Sequence, residues 1–278
     1  INETLAKTDV KKILIETENE ISLFSGLKEK LNVKVVPSAP LSNRLLDLRS
    51  VKSKKEVDNI IKAQRIAEKA FEDILDYIKV GMTEKQIAAT LNYKMMCYGA
   101  DNPSFDTIVV SGKNSSLPHG VPTEKVVEKG DFITMDFGAL YNGYCSDMTR
   151  TIAVGKPTDE MKKVYNTVLM SQESAEKAAK AGAFCSDVDK AARDVIKNAG
   201  YGEFFSHSTG HGIGLFIHER PTVSSNAKGV KLRAGQVISN EPGIYLPKKF
   251  GVRIEDMLFI TKNGCKNLTK APKDLIIL

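Results

Sequence analysis

The sequence predicts an α+β fold, and three observations carry that prediction. Helical periodicity appears twice in the same arrangement of helix, glycine stop and helix. Period-two patterning around an Asn-Gly turn marks an antiparallel hairpin. The 278 residues are 42% hydrophobic and 27% charged, enough for a sizeable core, and no apolar run approaches the length of a membrane span.

In chain order, Lys12–Glu16, an amphipathic stretch over 21–32 and Val33–Val36 read as strand, helix, strand. The sequence does not begin with methionine, and fewer than 50 residues bury too little surface for a domain of their own. Residues 1–47 are therefore expected to be the remnant of an N-terminal domain, and 48–278 the main domain. Ser53-Lys-Lys-Glu56 is a capping box, and Ile60, Ala63, Ala67, Ala70, Ile74 and Ile78 follow at helical spacing, so a helix should run to about Lys79. Gly81 stops it, and Thr83-Glu-Lys-Gln86 caps a second helix running to Gly99. Gly81, Ile87, Met95 and Gly99 recur as Gly182, Val188, Ile196 and Gly200, a constant offset of 101 residues that points to an internal duplication.

Strands follow the first helix pair. Asp131–Leu140 and Tyr144–Val154 flank Asn142-Gly143, a strong hairpin signal. A two-residue turn there sets Thr149 opposite Asp136 and Gly138 opposite Asp147. The two aspartates become diagonal neighbours on one face, within roughly 7–8 Å. A loop centred near Lys248 would set Glu241 opposite Glu255 on a second hairpin.

Composition narrows the function. The net charge of +6 arises from 40 basic and 34 acidic residues, and the Lys-rich segments at 52–55 and 228–231 are interleaved with acidic or apolar residues. With no aromatic or Arg-rich stripe beside them, they read as solvated surface rather than a nucleic-acid footprint. Cys97, Cys145, Cys185 and Cys265 are widely spaced and form no Cys-x-x-Cys pair. Free thiols and a cytoplasmic location are expected, with no membrane partner.

Of the four histidines, His207, His211 and His218 lie between Asp147 and Glu241, and His119 stands a short way before Asp136, so all four belong with the group Asp136, Asp147, Glu241 and Glu255. A single strand Asp is ordinarily an edge or surface residue, and a single His is ordinarily a satisfied hydrogen-bonding group. Asp136 and Glu241, however, lie in the apolar runs Phe132–Phe137 and Val237–Pro242, where an unpaired carboxylate would cost several kcal/mol. A metal would offset that cost. Four carboxylates and one imidazole, Asp136, Asp147, His211, Glu241 and Glu255, suit Mn²⁺, Co²⁺ or Fe²⁺ better than a thiolate zinc site. Such carboxylate placement suits two ions about 3.5–4 Å apart. Arg253 shares a strand face with Glu255 and could orient a ligand carboxylate or a nearby acid, where the bland reading is a surface ion pair. Two other motifs are decoys. Gly210-His-Gly-Ile-Gly214 lacks the last spaced glycine of a dinucleotide loop, and Ser111–Ser116 lacks the first glycine of a P-loop and reads as a mobile loop leading to His119.

Thr134-Met-Asp-Phe-Gly138, Cys145-Ser-Asp-Met-Thr-Arg150, His207-Ser-Thr-Gly-His-Gly-Ile-Gly214, His218, Glu241-Pro-Gly-Ile-Tyr245 and Val252-Arg-Ile-Glu-Asp256 resemble the pita-bread metallopeptidases, in the aminopeptidase P and proline dipeptidase branch. The resemblance covers about 53–278. It implies two pseudo-symmetric halves, a curved antiparallel sheet with outer helices, and a creatinase-like origin for the N-terminal remnant. It also implies two divalent ions, manganese first, with cobalt, iron(II) or zinc as alternatives. Asp147 and Glu255 would bridge them, Asp136 would complete one, and His211 with Glu241 the other.

On the same resemblance a metal-bound hydroxide attacks the bond between an N-terminal residue and proline, and Glu241 is the general base. His119 and His218 would assist the oxyanion or hold substrate backbone, His207 would line the pocket, and Arg253 would support it. Small peptides with proline second are the implied partners, and a homodimer is an open expectation. Methionine aminopeptidase is the alternative, but those enzymes typically carry Gln where Arg253 stands and lack a counterpart of His207. A non-catalytic peptide- or protein-binding module on the same fold is the alternative of another class. Such relatives usually lose ligands, and all five are kept here.

Overall fold

The computed structural model describes residues 1–18 and 20–278, in two units that separate between Arg49 and Ser50. The first unit contains α1 (Asn2–Leu5), β1 (Lys12–Ile15), α2 (Ile21–Lys30), β2 (Lys34–Pro37) and all but the last residue of α3 (Ala39–Ser50). β1 and β2 pair in parallel from Lys12↔Lys34 to Ile15↔Pro37, which requires a crossover, and α2 supplies it.

In the second unit both capping boxes form. Ser53 accepts from the Glu56 N–H at the start of α4 (Lys54–Tyr77), and Thr83 accepts from Gln86 at the start of α5 (Glu84–Cys97). β3 (Asn102–Pro103), β4 (Ile108–Ser111), a 3-10 turn (Gly112–Ser116), β5 (Phe132–Phe137), β6 (Ala139–Tyr141), β7 (Tyr144–Cys145) and β8 (Met148–Ala153) complete one half. The other half opens with α6 (Asp159–Ala178) and α7 (Cys185–Asn198). A second 3-10 turn (Gly202–Phe204) leads to β9 (Gly210–Gly212), β10 (Glu219–Val223), β11 (Val237–Asn240), β12 (Gly243–Leu246), β13 (Phe250–Arg253), β14 (Asp256–Ile260) and β15 (Cys265–Asn267). The predicted duplication is present in the backbone. α5 and α7 begin and end 101 residues apart. α4 already ends at Tyr77, with Ile78 extended, so Gly81 does not stop it; Gly81 and Gly182 instead share a left-handed φ of 97° and 88° in the turns that lead to α5 and α7.

The hairpin registers are those read from the sequence. Asn142 and Gly143 both take positive φ, 49° and 78°, as a type I′ turn needs, and Asp136 pairs with Thr149. Around Lys248, φ 62°, Gly243 pairs with Arg253 and Asn240 with Asp256, one register running through two ladders. One feature differs from a continuous curved sheet. The first hairpin divides into β5–β8 and β6–β7, and the second into β11–β14 and β12–β13. The breaks fall at Gly138 and Asp147 in one hairpin and at Glu241 and Glu255 in the other. At the first break a Cβ on Gly138 would lie 1.8 Å from the Ser146 carbonyl oxygen, so only glycine admits this close approach.

The core lies between the helices and the outer faces of these ladders. Ile133, Met135 and Phe137 of β5 pack with Ala67, Phe71 and Ile74 of α4, while Val164 and Val168 of α6 join Val252 and Ile254. Strand alternation therefore commits the opposite faces of β5, β8 and β13 to a polar interior. No described helix is long and apolar enough to cross a membrane.

Candidate metal centre and active site

Alternation on β5 sends Asp136 away from the apolar side chains of Ile133, Met135 and Phe137, and the register brings Thr149 of β8 to the same face. Arg253 and Glu255, two apart, reach that face from the second hairpin. The two hairpins are joined there by the Glu255 N–H donating to the Thr149 carbonyl (3.1 Å). His211 stands on β9 between two glycines. A Cβ on Gly210 would come 2.1 Å from the Ser239 carbonyl, so these glycines serve close strand packing rather than a dinucleotide.

Atoms of Asp147, His211 and Glu255 lie within 4.8 Å of one another. The His211 Nε2 is 3.6 Å from Asp147 Oδ2 and 3.3 Å from Glu241 Oε1. These are not ion pairs. Burial lowers the His211 pKa, and its Nδ1 faces the Gly212 carbonyl at 3.1 Å, so the proton sits on Nδ1 and a lone pair on Nε2 faces two carboxylate oxygens. Electron-rich atoms held this close need a positive charge between them, supplied by shared protons or by a metal cation. Asp136 lies beside this group, its Oδ2 accepting from Arg253 Nη2 at 2.7 Å. The Asp136 Oδ1 and Glu255 Oε1 atoms are buried with no hydrogen-bond partner. An unsatisfied buried carboxylate oxygen is expensive, and divalent metal fits both.

The electrostatics agree. Burial first, then Glu255, Asp136 and Glu241, raises the Asp147 pKa well above the usual carboxylate range. Burial, then Glu241 and Asp136, does the same to Glu255. Burial pushes Glu241 up to about 8.

A raised acid pKa means that the folded chain holds protons the unfolded chain gives up. In chelator-stripped protein the contribution of these carboxyl groups to stability should therefore be fully present near or below pH 4.5, the ordinary value for Glu241, and be lost as pH rises through about 8. Divalent metal displaces those protons, so its stabilising effect should grow from about pH 6 to about pH 8. At a metal concentration about a hundredfold above Kd, the thermal midpoint should rise by roughly 5–10 °C. Unfolding scans of stripped and reloaded protein across this range check it, and a shift that shrinks with pH would refute it.

A second polar chain adjoins the carboxylates. Arg253 donates through Nη1 to the Tyr245 hydroxyl (2.8 Å) and the Pro118 carbonyl (3.1 Å), and through Nε to Thr149 Oγ1 (3.1 Å). The Tyr245 hydroxyl stands 2.7 Å from His207 Nε2, and His207 Nδ1 is 2.8 Å from the Ser208 carbonyl. Burial, and then Arg253, lowers the His207 pKa to about 3. His207 is therefore neutral, donates from Nδ1 and accepts from Tyr245. His119 is exposed, its ring centroid 6.4 Å from that of His207. His218, also exposed, has its ring 4.3 Å from that of His211, and burial with His211 beside it lowers its pKa.

Antiparallel ladders flanked by helices, with carboxylate oxygens and one imidazole converging on the inner face, make a candidate divalent-metal centre. Residues 58–262 match metallopeptidase family M24. The Xaa-Pro dipeptidase of Pyrococcus furiosus is 46% identical over 262 residues, 94% of this chain and 74% of that protein. Two solved structures each cover all of this chain with a TM-score of 0.94. The Xaa-Pro dipeptidase from Bacillus anthracis is 44% identical and covered to 77%, and an X-Pro aminopeptidase from Thermotoga maritima MSB8 is 43% identical and covered to 78%. The chain belongs to metallopeptidase family M24, and its scaffold is the pita-bread fold.

Several contributors escape a reading by residue type. Thr149 donates to Glu255 Oε2 (2.7 Å), and Ser239 donates to Glu241 Oε1 (3.1 Å) while accepting from the His211 N–H (3.0 Å). Strand alternation is the signal that could have found Thr149 and Tyr245. The segment 111–116 is not the mobile loop expected. It forms a 3-10 turn in which Ser111 and Ser115 are buried, and Ser115 Oγ accepts from the Gly251 N–H (2.9 Å).

Proposed function

We propose that this metallopeptidase cleaves the bond between an N-terminal residue and proline in dipeptides or short peptides, in the cytoplasm, with two divalent ions. Manganese is proposed first and cobalt, iron(II) or zinc next. The observation that carries the metal reading is the neutral His211 lone pair aimed at the Asp147 and Glu241 oxygens. The proline preference is supported by the Xaa-Pro dipeptidase and X-Pro aminopeptidase relatives. The linked His207, Tyr245 and Arg253 supply a polar wall beside the ligands. The strand–helix–strand near the N-terminus supports reading 1–47 as part of a creatinase-like domain.

Asp136, Asp147, His211, Glu241 and Glu255 would together hold the ions. When bound, the ions polarise the scissile carbonyl and bring the pKa of water toward about 7. Glu241, 16% exposed at its side chain and held by Ser239, takes a proton from the attacking water. It then returns the proton to the prolyl nitrogen, which has no N–H of its own in the peptide and must leave as an amine. His218, its ring 4.3 Å from that of His211, and His119, its ring 6.4 Å from that of His207, would each donate a hydrogen bond to the developing oxyanion or to substrate backbone.

Hydrolysis of Met-Pro, Gly-Pro-Leu, Met-Ala-Ser and a proline-free dipeptide by stripped protein reloaded with each metal tests the reading. Metal-dependent cleavage confined to the bond before proline is the expected result, and the preferred length distinguishes a dipeptidase from an aminopeptidase. Cleavage of Met-Ala-Ser would instead identify a methionine aminopeptidase. No turnover with metal bound would favour a binding role.

A further inference from the structure

His119 has no rigid element of its own. It follows the 3-10 turn at Gly112–Ser116, on a segment that leaves β4 at Ser111 and returns by Thr123. What closes the base of that segment is Glu84, the first residue of α5, whose side chain is fully buried. Glu84 Oε1 accepts from the Ser111 N–H (2.6 Å), Ser111 Oγ (3.0 Å) and Asn114 Nδ2 (3.1 Å). Its Oε2 accepts from Asn114 Nδ2 (3.2 Å), the Thr123 N–H (3.0 Å) and Thr123 Oγ1 (2.6 Å). Among the described residues no Lys or Arg forms an ion pair with it. Its side-chain hydrogen bonds go to the start, middle and end of one loop, and Lys125 Nζ donates to Ser111 Oγ (3.0 Å) behind them.

Such a carboxylate and its loop are interdependent. Opening the loop would strand a buried charge, and neutralising the charge would strand the backbone N–H groups of Ser111 and Thr123. The far side of the loop is seated by the second hairpin, where Pro118, next to His119, accepts from Arg253 and Ser115 accepts from the Gly251 N–H. At the offset of 101 residues the position equivalent to Glu84 is Cys185, which also begins a helix. The helix start itself therefore does not require a carboxylate. The half that carries the histidine loop does.

We propose that Glu84 is a positioning residue, holding the 111–123 loop so that His119 faces the substrate at the metal centre. The proposal rests on the reading of His119 given above. Glu84→Ala and Glu84→Gln are compared, alone and combined with His119→Ala, in the manganese-loaded full chain hydrolysing Met-Pro. Amide exchange over residues 112–123 and metal content are measured on the same samples. Glu84→Ala should lower kcat/KM by about 10–100-fold with metal content unchanged. In the His119→Ala background the same change should cost less than about threefold, because both substitutions act through one group. Exchange over the loop should speed up in Glu84→Ala and stay at the parent level in His119→Ala. An equal loss in both backgrounds, or a loop as protected as the parent's, overturns the proposal. Should the alanine variant not fold, Glu84→Gln carries the same comparison. It keeps one acceptor oxygen but turns an NH₂ group toward loop donors. A His119→Ala chain at the parent rate would overturn the role of His119 itself, a failure separable from that of the loop because exchange reports the loop directly.

Discussion

Replacing Glu241 by glutamine should lower kcat for Xaa-Pro hydrolysis by about a thousandfold, within the range of removing a general acid–base group. Glutamine keeps the shape of the side chain and an oxygen to accept from Ser239 Oγ, now 3.1 Å from Glu241 Oε1. It cannot take or return a proton. The same substitution should have the opposite effect on stability. Burial pushes the Glu241 carboxyl up to about 8, so in chelator-stripped protein at about pH 8 or above the parent must ionise a group that the fold disfavours, and the variant does not. Stripped Glu241→Gln should therefore melt higher than stripped parent in that range, on the order of 5 °C. The difference should vanish toward pH 4.5, where the parent side chain is neutral in both states. Turnover by the metal-loaded variant at the parent rate would remove Glu241 from the mechanism, and a lower melting point in the stripped form would show that its charge is not the strained element.

Local rules made the scaffold legible. A capping box fixes where α4 starts, a glycine with positive φ, Gly99, follows the cap that ends α5, and Gly200, 101 residues later, does the same for α7 in the second half. Asn142-Gly143 sets the register that brings Asp136 opposite Thr149, and the turn at Lys248 does the same for the second hairpin. Ligand-type residues in apolar strands were conspicuous because burying a bare carboxylate is costly. What remained hidden depends on contacts between segments far apart in sequence. Thr149 reads as an ordinary β-branched strand residue until Glu255 arrives from 106 positions away. Glu84 reads as an acidic first-turn residue suited to the helix dipole, although its hydrogen bonds all go to a loop more than 25 residues downstream. The Gly-, Ser- and Asn-rich composition of 111–116 suggested mobility, and nothing local announced the buried carboxylate that ties it down. α3 was also missed, since Pro40 and mixed polarity mask its helical span.

Arg253 is where the scaffold and the chemistry meet, and its replacement should have the second large effect. Its guanidinium is buried and donates to four acceptors, Asp136 Oδ2, Tyr245 Oη, the Pro118 carbonyl and Thr149 Oγ1. Those partners come from both hairpins and from the loop of His119. Arg253→Met would remove the donor that Asp136 Oδ2 faces at 2.7 Å, and breaking one side of a buried pair in this way costs about 3–5 kcal/mol. The thermal midpoint should fall by roughly 10 °C, and kcat/KM by at least about a hundredfold as Asp136 and the histidine loop lose a shared anchor. Arg253→Lys separates charge from geometry. Lysine restores a positive charge toward Asp136, but a single ammonium cannot reproduce the planar fork that reaches Tyr245 and Pro118 together. It should recover much of the stability and little of the rate. A lysine variant with parental kcat and KM would mean that charge near Asp136 is all the site requires. A variant that recovers neither stability nor rate would show that the fork holds the two hairpins together as a structural joint before it serves catalysis.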